Sequence, residues 1–203
     1  MKRNIAIALM GIGTLLVFLA AGLFLYNANE NQQAKENSQA VMQTIRQQLE
    51  EDQLKKEEGR LPQMESDPFD HQMKVVEIDG YGYIGYLTVP ALDLDLPVMA
   101  DWDYDRLNIA PCRYYGSAKA DNLVIAAHNF RYHFGYLGKL QIGDQIIFTD
   151  MDALTYRYQV VSVETLSPYA VDQVKDTGDD LVLYTCTYSG SQRIVVRCSY
   201  VQE

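Results

Sequence analysis

A thiol, a guanidinium and an imidazole each stand at the end of a short apolar run in this chain. Leu181-Val182-Leu183-Tyr184 leads into Thr185 and Cys186. Thr187-Tyr188-Ser189-Gly190-Ser191 is turn chemistry, and Arg193 then opens a return strand that runs to Val201. A third apolar run, Asn122 to Ala127, closes on His128. A cysteine attacks as its thiolate and needs a base to reach that state. An arginine beside it can lower the thiol pKa, or donate hydrogen bonds to the oxyanion that forms when the thiolate attacks a carbonyl. Two strands ending in His128 and Cys186, with Arg193 opening a third, read as one constellation at one edge of a barrel.

The competing residues are few. The histidines are His71, His128 and His133. His133, in an aromatic-rich loop five residues past His128, is the fallback base, and His71 lies in a linker as solvated surface. Arg197 falls on the same side of its strand as Arg193 by the period of two, which makes it a rival guanidinium. Three cysteines make no disulfide framework. Cys112 and Cys198 read as buried thiols, with a mutual disulfide as the alternative. Neither has a second Cys or His at zinc-ligand spacing, and no metal site is expected.

The elements that must position these groups follow from the patterning. A chain of 203 residues holds one sizeable domain plus an attachment, and a net charge of -10 argues against a nucleic-acid binder. Lys2 and Arg3 precede an uncharged run through Tyr26, long enough to cross a bilayer core as a helix. The basic residues before it and the acid-rich segment after it predict a cytoplasmic N-terminus and an external domain. A cleaved signal peptide is the competing reading, disfavoured by the length of the run. Residues 1–26 are therefore read as anchor and 27–60 as a polar helical stalk with a narrow stripe, Val41, Ile45 and Leu49. That stalk reads as a spacer lifting the domain off the membrane. Residues 61–80 read as an irregular linker, and 81–203 as an all-β-dominated domain. Its strands are expected at 83–89, 94–99, 110–114, 122–127, 145–148, 154–165, 181–186 and 193–201, with helical turns near 103–107 and 134–140.

Taken together, Ala127-His128-Asn129, Leu183-Tyr184-Thr185-Cys186 and Arg193-Ile194-Val195-Val196 resemble the sortase family, cysteine transpeptidases of the outer surface of Gram-positive bacteria. Ile84-Gly85-Tyr86-Leu87-Thr88-Val89-Pro90 is similar to that family's opening strand, and Leu137-Gly138-Lys139-Leu140 to the segment after its histidine. Where the family usually begins the cysteine motif with Thr-Leu, this chain has Val182-Leu183. The resemblance, over roughly residues 81 to 201, implies an eight-stranded β-barrel with short helices, preceded by the membrane helix and stalk.

It also implies an activity: cleavage of a Leu-Pro-x-Thr-Gly-like sorting signal through a thioester on Cys186, then transfer to an amine acceptor such as a peptidoglycan precursor or a pilin lysine. His128 would be the general acid–base and Arg193 the oxyanion and substrate anchor, favoured over Arg197 by the motif match. Thr185 would bind the peptide. Asp67-Pro68-Phe69 resembles the lid of pilus-type sortases, in which the aspartate (here Asp67) faces the arginine and the ring (here Phe69) covers the cysteine; a plain linker is the other reading. Some sortases use calcium, and Asp121, Asp172, Asp176, Asp179 and Asp180 are the acids that could gather around it; no cofactor is otherwise expected. The features point in part to class B-like and in part to pilus-type enzymes. A thiol hydrolase without transfer, and a membrane-tethered binding module without catalysis, are the alternatives; intact His128, Cys186 and Arg193 argue against the second.

Overall fold

The computed structural model describes residues 2–58, 71–175 and 177–201. One helix, α1 (Lys2–Glu57), precedes nine strands: β1 (Val76–Ile78), β2 (Tyr81–Val89), β3 (Leu94–Met99), β4 (Cys112–Tyr115), β5 (Leu123–Ala126), β6 (Gln145–Asp150), β7 (Thr155–Leu166), β8 (Leu181–Cys186) and β9 (Arg193–Tyr200). Strands β2 to β9 pair in the order β2-β3-β4-β5-β8-β9-β7-β6, and β6 returns to β2. That return closes an eight-stranded barrel, the expected architecture. Two pairings are parallel, β3 with β4 and β5 with β8, and the rest are antiparallel. Gly85 makes closure possible. Its φ is +147°, and a Cβ there would stand 2.1 Å from the Thr149 carbonyl oxygen on β6.

Alternation along the strands divides each into an inward and an outward set. Leu87, Leu123, Ile125, Phe148, Leu183 and Val196 fill the interior without exposure. The outward set is also partly covered. Val124, Val182 and Val195 form a second apolar cluster with Val174, edged by Tyr114, Leu166 and Tyr184.

Two parts of the chain differ from the sequence expectation. The segment read as linker contains β1, joined to β2 by Asp79-Gly80 with φ of 51° and 80°, the two-residue turn whose twist suits a hairpin. The stalk, expected as a solvated spacer, lies on the barrel. Ala34, Ser38, Val41, Met42, Ile45 and Leu49 recur at helical spacing and are all buried. Val41, Ile45 and Leu49 join a cluster with Val76, Ile78, Tyr83 and Met99. Ion pairs from Arg46 to Asp95 at 2.7 Å and from Lys74 to Asp52 at 3.1 Å flank that contact. The apolar window of α1 is long enough to cross a membrane, with a mean hydropathy of 1.8, and its large side chains from Met10 to Leu25 are exposed. The proposed lid residues Asp67 and Phe69 lie outside the described residues.

Candidate active site

Parallel pairing sets the geometry. Val124 faces Val182, and Ala126 faces Tyr184, in one register along β5 and β8. Continuing that register by two positions on each chain brings His128 and Cys186 out at the same barrel end. Side-chain and backbone bonds hold the two exits together. The Ala127 N–H donates to the Tyr184 carbonyl at 3.2 Å, the Thr185 hydroxyl donates to the Ala127 carbonyl at 2.8 Å, and the Asn129 amide donates to the Thr187 carbonyl at 3.3 Å. These three bonds bracket His128 on one chain and Cys186 on the other.

The third group arrives by antiparallel pairing. Cys186 stands opposite Arg193, so their side chains leave the same sheet face. A turn between them is closed by the Thr187 N–H to the Gln192 carbonyl at 3.0 Å. One guanidinium nitrogen of Arg193 donates to the carbonyls of Gly190 and Gln192, each at 3.1 Å. Among the described residues no carboxylate pairs with it. Arg197, the rival, is fully engaged: it pairs with Glu164, with Asp179 at 2.6 Å, and with the Gln173 carbonyl at 2.6 Å. The structure thus brings His128, Cys186 and Arg193 to one end and ties Arg197 down elsewhere.

Electrostatics separate the candidate histidines. His128 is half-buried, edge-on to Tyr104 at 5.4 Å and tilted against Phe130 at 5.0 Å. Burial lowers its pKa, and the Glu30 carboxylate on α1 opposes that by favouring the imidazolium. His133 is fully buried, and burial first, then the charge of His128, lower its pKa to about 4. Its Nε2 lies 3.4 Å from the Ser38 hydroxyl, and its Nδ1 has no hydrogen-bond partner among the described residues. His133 is therefore an interior residue at the helix contact. His71 is exposed, against the Lys119 carbonyl at 3.1 Å.

All three cysteines are free. Cys186 is half-buried, whereas Cys112 and Cys198 are wholly buried, and burial pushes the Cys112 thiol up to about 12 and the Cys198 thiol higher still. The alternative of a Cys112–Cys198 disulfide is thus not made. Thr185 is 1% exposed, and its hydroxyl braces β8 to the Ala127 carbonyl. Among the described residues no three His, Cys, Asp or Glu side chains gather as a metal would need. Asp179 pairs with Arg197, and Asp180 accepts the Tyr200 N–H. The groups that sequence reasoning missed are Glu30 and Tyr104. Both reach His128 from distant segments, and no local pattern marks either.

An eight-stranded mixed barrel carrying a part-exposed thiol, an imidazole and a guanidinium on one edge defines a class of thiol enzyme. The sortase-domain family model matches residues 87–201, and the chain belongs to the sortase family of cysteine transpeptidases. Solved structures agree in fold. The Streptococcus pneumoniae sortase C is 24% identical at a TM-score of 0.55, covering 86% of this chain and 90% of that one. The Group B Streptococcus pilus island 1 sortase C2 is 25% identical at 0.54, covering 67% and 85%. The Listeria monocytogenes sortase A is 23% identical at 0.53, covering 59% and 88%. A search of curated proteins gave no match.

Proposed function

We propose that Cys186 is the nucleophile of a transpeptidase that cleaves a Leu-Pro-x-Thr-Gly-like sorting signal and joins its carboxyl end to an amine. The observation that carries this reading is the shared register of β5 and β8, which delivers His128 and Cys186 to one edge with Arg193 opposite the thiol. The Cys186 thiolate attacks the Thr–Gly carbonyl, and the tetrahedral oxyanion is held by the Arg193 guanidinium. His128 gives a proton to the departing glycine amine, leaving a thioester. An incoming amine then attacks the thioester, His128 takes its proton, and Cys186 leaves.

Val124, Val182 and Val195 lie on the face that ends at Cys186 and are buried, so they pack the strands that carry the site rather than receive the peptide. Thr185 serves this site as a brace on the His128 strand. In the same reading α1 anchors the chain, with its N-terminus cytoplasmic and the barrel outside, and the substrates are surface proteins or pilins. Calcium stays a separate proposal resting on Asp121, Asp172, Asp176, Asp179 and Asp180, tested by the calcium dependence of transfer.

Mixing the protein with a sorting peptide and quenching in acid should trap an adduct on the Cys186-containing fragment, read by mass spectrometry. Adding an amine acceptor should convert it to a joined product. Release of free acid alone, with the acceptor ignored, would make the protein a thiol hydrolase instead. Absence of any adduct on Cys186 would remove the nucleophile assignment.

A further inference from the structure

The contacts between α1 and the barrel fix how high the catalytic end can stand above the membrane. They climb the helix in order. The Asn31 side-chain oxygen accepts the Arg131 N–H at 2.6 Å, the Lys35 ammonium lies 4.9 Å over the Tyr132 ring, and Ser38 meets His133. Farther along come the Arg46–Asp95 and Asp52–Lys74 pairs. The part of the barrel docked lowest on the helix is therefore the loop that follows His128. The opposite end of the site strand, Tyr200, lies seven residues past Arg193, roughly 23 Å away at about 3.3 Å per residue.

The height follows from helix geometry. α1 is one helix from Lys2 to Glu57, with no break between the apolar run ending at Tyr26 and the contact at Asn31. Five positions at about 1.5 Å each place Asn31 roughly 7–8 Å beyond the apolar run, and tilt only shortens that. The headgroup layer on each side of a bilayer is about 5–7 Å deep. The two lengths are nearly equal, so the histidine loop meets the outer boundary of the headgroups.

Its composition matches that environment. Between Asp121 and Asp144 the chain has no acidic residue but carries Arg131 and Lys139 with Phe130, Tyr132, Phe134 and Tyr136. Arg131 is exposed, Tyr136 is 38% exposed, and the Lys139 ammonium sits 3.9 Å over the Tyr136 ring. Tyr104, against His128, is 67% exposed. Phe134 points into the core, and Glu30 on α1 stands against His128. The outward groups of the loop, Arg131, Tyr132, Tyr136 and Lys139, are basic and aromatic, the mixture that settles at a bilayer–water interface beside anionic headgroups.

We propose that the catalytic end faces the anchoring membrane and that the histidine loop, through Arg131, Tyr132 and Tyr136, rests on its anionic phospholipid headgroups. The inference rests on α1 being the anchor. It deepens the proposed function: the thiol meets a sorting signal or a lipid-borne amine at headgroup height.

The test uses the full chain in nanodiscs of phosphatidylcholine and phosphatidylglycerol, with a fraction of the choline headgroups carrying a nitroxide quencher. Trp102→Phe removes the single native tryptophan. Tyr132→Trp and, separately, Tyr136→Trp place a reporter on the loop, and Tyr200→Trp places one at the far end. Loss of about half the emission from either loop reporter, with little loss from position 200, is expected for groups at headgroup depth. Equal quenching at both ends, or none on the loop, overturns the inference while the anchor reading stands, provided alkaline carbonate leaves the chain in the bilayer. A chain that carbonate extracts overturns the anchor reading, and the inference with it.

Discussion

Strands β8 and β9 carry one cysteine and one arginine near each end, and the two ends behave as different molecules. At one end Cys186 is half-buried beside Arg193, whose guanidinium contacts only neutral carbonyls among the described residues. Toward the other, Cys198 has no exposure and Arg197 is held by Glu164 and Asp179. Burial pushes the Cys198 thiol far up, and although burial opposes it, the two carboxylates raise the Arg197 pKa. Residue type is the same at both ends. What differs is whether the charge is already neutralised and whether a substrate atom can reach it.

The largest expected effect is on the thiols. Cys186→Ala should abolish acyl-enzyme formation and transfer while leaving Tm nearly unchanged. Cys198→Ala should keep the turnover number but lose about 1–2 kcal/mol of stability, because it leaves a small cavity in a packed interior. Comparable activity in the two variants, measured by peptide transfer, would erase the distinction between the ends.

The arginines come next. Arg193→Lys keeps the charge but not the planar fork, and loss of one oxyanion donor costs about 10²–10³ in rate. Arg197→Lys should hold kcat/KM within about threefold and lower stability by about 1 kcal/mol, since a lysine keeps the charge but cannot reach Glu164, Asp179 and the Gln173 carbonyl together. A reversed pattern in kcat/KM would move the oxyanion role to Arg197.

A third contrast concerns His133 and His128. His133 has a folded pKa near 4, below the value of about 6.5 in an unfolded chain, so the unfolded state binds the extra proton. Its contribution is fully present above pH ~6.5 and is lost as pH falls toward ~4, up to about 3 kcal/mol. Urea titrations across that window should show a shallower pH dependence for His133→Gln than for the parent. Equal slopes would mean that His133 is not buried as described.

The smallest effect expected is from Glu30→Gln. Removing that carboxylate withdraws what raises the His128 pKa, so the limb of the rate profile assigned to His128 should move to lower pH. A shift toward higher pH would exclude Glu30 as a partner of His128.

Much of the barrel could be read from short apolar runs bounded by turn residues, because β5 and most of β8 are buried on both faces and so read as continuous apolar stretches. The motif residues also came together, since the chain order of His128, Cys186 and Arg193 mirrors strand ends. The expectations went astray at one short local element and wherever the deciding contact was distant. Asp79-Gly80 carries a hairpin turn signature, but Val76–Ile78 is short and follows a polar segment, so it read as linker. The stripe Val41, Ile45 and Leu49 was visible, yet its partner was not, because Ala34 and Ser38 are small and only the barrel surface makes them interior. Thr185 showed strand propensity alone, and its bond to Ala127 depends on a neighbour 58 residues away.

That same distance has a kinetic meaning. The thiol and the imidazole sit on parallel strands that no hairpin can join, so their encounter waits on a long loop closure whose entropy must be overcome before any contact rewards it. Local hairpins such as β6–β7 and β8–β9 can form early and leave Cys186 beside Arg193 but apart from His128. His128 and Cys186 come together only when β5 pairs with β8, so the reactivity of Cys186 would report on that long-range pairing.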